Sequence, residues 1–382
     1  MTLLTDLGLL ERLVAFDTTS SKSNLELAQF VADYLDRPGV QIDRNPSADG
    51  AKVNLVVRIG PELDVERNGL LLSGHMDVVP ALEEGWRSDP FCLTERDDTL
   101  VARGSSDMKG FLALAVNAFA RLKVDQLQQP LALLFTYDEE LGTLGSRHFV
   151  ETWPEKDPLP RRTVVGEPTS LTLLRAHKGH LTYRARFAGK AAHSGFPHLG
   201  KNALEPLARA LLALTELDRE LQSERPEHSD FFPSVPFAPL NVGRAQGGVA
   251  VNVVPDSSAI EFGVRHLPGM QPEGIEQRIR HALDGALRGE HYELELERES
   301  PPMMAPVGCG FHQTLQEVTG CSEGEGASFA TDAGWFQVLG HECVLLGPGS
   351  IEVAHRPNEF VPRADLNRGA HMVQQLIRRF CL

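Results

Sequence analysis

Three times in the first half of the chain, an apolar run of strand length stops abruptly and hands over to a histidine or a carboxylate. Gly69-Leu70-Leu71-Leu72-Ser73-Gly74 leads into His75-Met76-Asp77, Leu131-Ala132-Leu133-Leu134-Phe135-Thr136 into Asp138-Glu139-Glu140, and Thr163-Val164-Val165 into Gly166-Glu167. Runs this short and this uniformly apolar suit strands buried on both faces. Helical patterns follow them, the clearest from Phe111 to Leu122. Repeated strand–helix units predict an α/β fold with a mostly parallel mixed sheet flanked by helices. In such a sheet the residues just past the strands share one edge, where ligands bind.

His75 and Asp77 are two residues apart, a spacing that puts both side chains on one face of extended chain. A lone histidine at a strand end is more often a hydrogen-bonded structural residue, and Asp138-Glu139-Glu140 alone is more often a solvated acidic turn. The case changes when Asp107, in Gly104-Ser105-Ser106-Asp107-Met108-Lys109-Gly110, and His355, in Glu352-Val353-Ala354-His355-Arg356-Pro357, join them. His75, Asp107, Glu140, Glu167 and His355 form a set of imidazole and carboxylate donors without thiolate, suited to zinc, cobalt or manganese. Two histidines and three carboxylates can hold two metals about 3.5 Å apart if one carboxylate bridges them. Glu139, next to Glu140, is then available as a base.

The rest of the chain narrows the classes. At 382 residues there is room for two domains. A formal charge of −15 argues against nucleic-acid or anionic-membrane partners. Cys92, Cys309, Cys321, Cys343 and Cys381 are too scattered for a disulfide framework or a CxxC knuckle, which fits a reducing compartment. Met1-Thr2-Leu3-Leu4-Thr5-Asp6 lacks the features of a signal peptide and no apolar run is long enough to span a bilayer, so a cytoplasmic location is expected. From about residue 178 the pattern changes. Leu181 to Ala188 alternates, with Tyr183, Ala185 and Phe187 on one side, and a long helix is predicted from Asn202 to Leu221. Residues 178–291 read as an inserted α+β domain whose exposed strands offer an edge to a second copy. Residues 1–177 and 292–382 are assigned to the metal-binding domain.

The motifs Ser73-Gly74-His75-Met76-Asp77-Val78-Val79-Pro80, Gly104 to Gly110, Asp138-Glu139-Glu140 and Gly166-Glu167-Pro168-Thr169, in this order, resemble those of the co-catalytic di-zinc amidohydrolases and exopeptidases. Further similar segments are Arg175-Ala176-His177-Lys178-Gly179-His180, Leu267-Pro268-Gly269-Met270 and Leu346-Gly347-Pro348-Gly349-Ser350-Ile351. The resemblance implies that His75 and Glu167 hold one Zn²⁺, that Glu140 and His355 hold another, and that Asp107 bridges them, with Co²⁺ or Mn²⁺ as possible substitutes. It implies that Asp77 hydrogen-bonds the free nitrogen of His75, that Glu139 shuttles the proton, and that His193 of a homodimer partner steadies the oxyanion. The inserted domain is then a dimerisation and lid domain, and Asn252 and Arg265 contact the substrate carboxylate. The activity implied is amide hydrolysis of an N-acyl amino acid, with N-acetyl-L-ornithine, cleaved to L-ornithine and acetate in arginine biosynthesis, as leading substrate. Succinyl-diaminopimelate, acetylcitrulline and dipeptides are the alternatives, and Thr331-Asp332-Ala333 resembles the desuccinylase and aminoacylase side of the family.

Overall fold

The computed structural model describes residues 3–63, 69–154, 158–306, 308–320 and 322–382, so Met1, Thr2 and Cys321 lie outside the described residues. The chain divides into two units, one of residues 1–176, 303–324 and 331–382, the other of residues 177–302 and 325–330.

A six-stranded sheet organises the first unit, in the order Val40–Pro46, Val53–Ile59, Leu131–Thr136, Leu70–His75, Arg162–Val165, Glu342–Leu345. The first two pairings in this order are antiparallel, and the last four strands are mutually parallel. The sheet is mixed, as the strand–helix alternation predicts. Leu70–His75 and Leu131–Thr136 are buried at every position, because each lies between two strands and is covered on both faces. From the His75 strand the chain adds its next parallel strand on one side and the following one on the other. That reversal of direction opens a crevice at the carboxyl edge. Register places His75 opposite Thr136 and Ser73 opposite Val165, so Glu139, Glu140 and Glu167 follow directly on either side of the imidazole.

Helix Lys109–Ala120 is buried along its whole length and packs against helices Asp6–Val14 and Arg363–Phe380. Its one polar residue beyond the first turn, Asn117, is satisfied: its Oδ1 accepts from the Tyr34 hydroxyl at 2.7 Å and its Nδ2 donates to Asp6 Oδ1 at 2.8 Å. Asn24 stands at the N-cap position of helix Leu25–Leu35 but makes no capping bond. Its amide instead pairs with the main chain of Val53, donating to the carbonyl at 2.8 Å and accepting from the N–H at 3.0 Å. It pins the helix to the sheet rather than capping it.

In the second unit a four-stranded antiparallel sheet runs in the order Leu240–Gly247, Ser257–Val264, His180–Ala188, Tyr292–Ser300. Helices Leu204–Ser223 and Pro272–Leu287 pack on each other, and the former lies against the sheet. Tyr183, Ala185 and Phe187 are buried as their alternation predicts, with Tyr183 stacked on Phe262. The opposite face carries cross-strand ion pairs of Arg184 with Glu261 and Glu297, and of Arg186 with Glu295. Tyr292–Ser300 pairs with His180–Ala188, so this strand closes the second sheet instead of starting the return to the first unit. Its Glu-rich alternation resembles an isolated edge, and only the pairing reveals its place. No helix among the described residues is long and apolar enough to cross a membrane.

Candidate metal centre

The three strand ends and two loops of the first unit bring five donors into two groups that share one carboxylate. His75, Asp107 and Glu167 offer ligand atoms within 4.8 Å of one another, and so do Asp107, Glu140 and His355. His75 Nε2 lies 3.0 Å from Asp107 Oδ1, while His355 Nε2 lies 3.3 Å from Asp107 Oδ2 and 3.0 Å from Glu140 Oε1. Each oxygen of Asp107 thus faces a different histidine. Glu167 comes from the neighbouring strand through Gly166, where a Cβ would sit 2.0 Å from the Phe111 ring, so only glycine lets the strand end pass the buried helix. Glu139 belongs to neither group.

Asp77 is placed differently from the expectation. The strand ends at His75 and the period-two alternation ends with it. His75 Nδ1 therefore meets the main-chain carbonyl of Asp77 at 2.9 Å, and the Asp77 carboxylate stands 3.6 Å away. That carboxylate instead accepts from the main-chain N–H groups of Glu139 at 3.0 Å and Glu140 at 3.3 Å, and from the Ser20 hydroxyl at 2.7 Å. The carbonyl fixes the imidazole with Nδ1 protonated, which leaves Nε2 as the donor atom for a cation. The carboxylate holds the turn that carries the base and a ligand.

The electrostatics are those of an anionic pocket lined with cation donors. Burial, with Glu167 and Glu140 nearby, raises the Glu139 carboxyl well above its ordinary range. Burial and Asp107 push Glu140 up to about 7 and raise Glu167 well above its usual value. Burial opposes ionisation of Asp107 as well, but hydrogen bonds from His355 and His75 outweigh it and hold this carboxyl below the usual range. The bonds to Asp107 and Glu140 push His355 up to about 10. Burial works against a charged His75, yet Asp107 raises it well above its ordinary value. Glu167 Oε1 is buried without a hydrogen-bond partner among the described residues, an orphan that a cation would satisfy. Nitrogen and oxygen donors in this number suit borderline or hard divalent ions, so the residues fit the metals their types predict.

His193, Asn252 and Arg265 belong to the second unit. His193 ends the short strand Ala192–His193 and is exposed; its Nδ1 accepts from Gly195 N–H at 3.0 Å, which leaves the proton on Nε2. Asn252 is exposed in the turn before Val253–Val254, and its carbonyl accepts from Ser194 N–H at 3.0 Å. Arg265 follows strand Ser257–Val264 and is half-buried. Of the neighbouring cations with no assigned part, Lys178 is structural: its Nζ donates to the carbonyls of Val235 at 2.6 Å and Phe237 at 2.7 Å.

Some contributors escaped the sequence reading. Ser20 sits in the Thr- and Ser-rich loop Asp17-Thr18-Thr19-Ser20-Ser21, and its bond to Asp77 spans 57 residues. Asp332 is buried, with Oδ2 accepting from Thr136 Oγ1 at 2.5 Å, and burial raises its carboxyl. Glu359 and Arg103 form a buried ion pair across 256 residues. No local pattern separates such residues from surface charges.

Two donor groups joined by one carboxylate, at the carboxyl edge of an α/β sheet and beside a carboxyl that binds in neither group, define the class of metal-dependent hydrolases. Residues 71–379 match peptidase family M20/M25/M40. The chain is 33% identical over 375 residues to the acetylornithine deacetylase of Edwardsiella ictaluri, covering 96% of this chain and 94% of that protein. Its fold superposes on the M20 family metallo-carboxypeptidase Sso-CP2 of Sulfolobus solfataricus with a TM-score of 0.77 at 18% identity, over 98% and 99% of the two chains. It superposes on the YXEP protein of Bacillus subtilis, described as a dinuclear metal-binding peptidase, with a TM-score of 0.69 at 14% identity, over 98% and 97%. The chain belongs to peptidase family M20/M25/M40 and is a metal-dependent hydrolase.

Proposed function

We propose that the protein is a di-zinc amidohydrolase that removes the acetyl group from N-acetyl-L-ornithine, releasing L-ornithine and acetate as a step toward arginine. The observation carrying this reading is the shared donor set: two groups joined through Asp107, with half-buried Glu139 beside them and part of neither. The acetylornithine deacetylase relatives favour the substrate.

His75 and Glu167 would hold the first zinc, Glu140 and His355 the second, and Asp107 both. When bound, the metals supply Lewis-acid polarisation of the scissile carbonyl and make water acidic enough to react near neutral pH. Glu139 takes the proton of the attacking water and delivers it to the leaving nitrogen, so one carboxyl serves as base and then as acid. His193, with its proton on Nε2, donates to the oxyanion of the tetrahedral intermediate from the partner subunit of a homodimer. Arg265 and Asn252 hold the substrate carboxylate, the guanidinium through its fork of donors. The second unit serves as the dimerisation and lid domain, and the enzyme works in the cytoplasm.

The test is a panel of N-acetylornithine, N-acetylcitrulline, N-succinyl-diaminopimelate, other N-acyl amino acids and dipeptides, assayed after chelation and again after zinc is restored. The reading requires N-acetylornithine to have the highest kcat/KM, with activity lost on chelation and regained with metal. A preference for the succinylated substrate or for dipeptides contradicts it.

A further inference from the structure

The loop that carries Asp107 and the loop that carries His355 lie far apart in the chain and are fastened to each other around a buried carboxylate. Glu359 Oε1 accepts from the main-chain N–H groups of both Ser106 and Asp107 at 3.0 Å. Its other oxygen accepts from Arg103 at 2.8 Å, and both side chains of this pair are 1% exposed. Arg103 also donates to the carbonyls of Pro80 at 3.1 Å and Arg356 at 3.4 Å, so the guanidinium reaches the residue next to His355. The Glu359 carbonyl accepts from Ala102 N–H at 3.1 Å. Nearby, Ser350 N–H donates to Ser106 Oγ at 3.0 Å, and that hydroxyl donates to the Ser350 carbonyl at 3.2 Å. At Gly349, which has φ of 83°, a Cβ would stand 2.3 Å from Ser106 Oγ.

A buried ion pair is a weak device for stability, because desolvation offsets most of its attraction. This one binds two donor-bearing loops together and touches neither donor side chain. We infer that Glu359, clamped by Arg103, is a positioning residue that sets the separation of Asp107 and His355 and so presets the second metal position. The inference rests on the dinuclear reading above. The first position depends on the fastening far less, because His75 and Glu167 stand at the ends of adjacent strands of the sheet.

The experiment is a Co²⁺ titration of the metal-free full chain, followed by visible absorption and calorimetry. It uses wild type, Glu359→Gln, the milder Ser106→Ala, and Asn117→Ala as a control that loosens the fold away from the centre. The expected result is two equivalents for wild type. Glu359→Gln should keep first-site affinity within about threefold and lose about 10–100-fold at the second site, the usual range for a residue that orients a ligand. Ser106→Ala should lose less at the same site, and Asn117→Ala should lose thermal stability without selective loss of either metal. Should Glu359→Gln fail to fold, Ser106→Ala decides the question. Fewer than two equivalents in wild type overturns the dinuclear reading, and this inference with it. Two equivalents in wild type with an unchanged second site in the folded variants, equal loss at both sites, or the same selective loss in Asn117→Ala overturns this inference alone.

Discussion

Replacing Asp77 by Ala removes a carboxylate that accepts three hydrogen bonds, from Glu139 N–H, Glu140 N–H and Ser20 Oγ. Each donor left unsatisfied in a buried setting costs about 1–3 kcal/mol. The two main-chain donors lie at partly buried residues, which puts them near the lower end, while Ser20 is buried. Removing the negative charge relieves repulsion in the anionic pocket but also gives up attraction to the His75 imidazole 3.6 Å away, two electrostatic effects of opposite sign. Ser20 Oγ keeps the Val78 carbonyl at 3.4 Å as a second acceptor, so it too falls near the lower end, and the loss is about 3 kcal/mol, equivalent to about 6–12 °C in Tm at the 2–4 °C per kcal/mol typical of a domain of 150–250 residues. Thermal unfolding of chelated wild type and variant, followed by circular dichroism, measures it without any contribution from bound metal. Ser20→Ala, which deletes one of the three bonds, should give about a third of the shift. The reasoning fails if Asp77→Ala unfolds within about 1 °C of wild type. It fails equally if the variant loses only first-site metal and keeps a normal second site, since that would give the carboxylate the imidazole-orienting role that the structure assigns to its carbonyl.

Gly166→Ala should destabilise by at least the 1–3 kcal/mol usual for overpacking, because its Cβ would fall 2.0 Å from the Phe111 ring, and the displaced strand end should weaken first-site metal as seen in a Co²⁺ titration. In the metal-free chain Glu140 titrates at about 7 and His355 at about 10, both above their unfolded values. A raised folded pKa gives stability that is present below the unfolded value and lost as pH rises through the folded one. Chelated protein should therefore lose stability progressively from about pH 4.5 to 10. Metal uptake at pH 6–7 should release protons and strengthen with pH, which calorimetry in buffers of different ionisation enthalpy will register. His193→Ala should lower kcat about 10²–10³-fold and leave metal content unchanged, the signature of a lost oxyanion donor.

How much of this was legible in the sequence depends on the range of the interaction. Strand runs ending in His75, Glu140 and Glu167 declare both sheet and site, because burial on both faces writes an unbroken apolar run and chemistry at the strand end writes the break. Asp107 and His355 sit in loops without periodicity, so they are legible only as donor types that complete the set begun by the strand ends, and the motif resemblance then gives each its place. Strand Val40–Pro46 escaped because it is a sheet edge with charged and amide residues among its apolar ones. Spacing puts Asp77 on the face of His75 and the resemblance makes its side chain the partner of the imidazole, but the alternation that the spacing assumes stops with the strand at His75. Glu359, Arg103 and Ser20 act through partners 57 to 256 residues away, and a buried charge looks like a surface charge until its partner is known.

The central claim is that Glu139 moves the proton in amide hydrolysis at a centre it does not help to build. Glu139→Gln, kept nearly isosteric, should bind two equivalents of zinc by elemental analysis while kcat for N-acetylornithine falls about 10²–10⁴-fold. Normal turnover with full metal content would contradict the claim, and so would a loss of turnover explained by loss of metal.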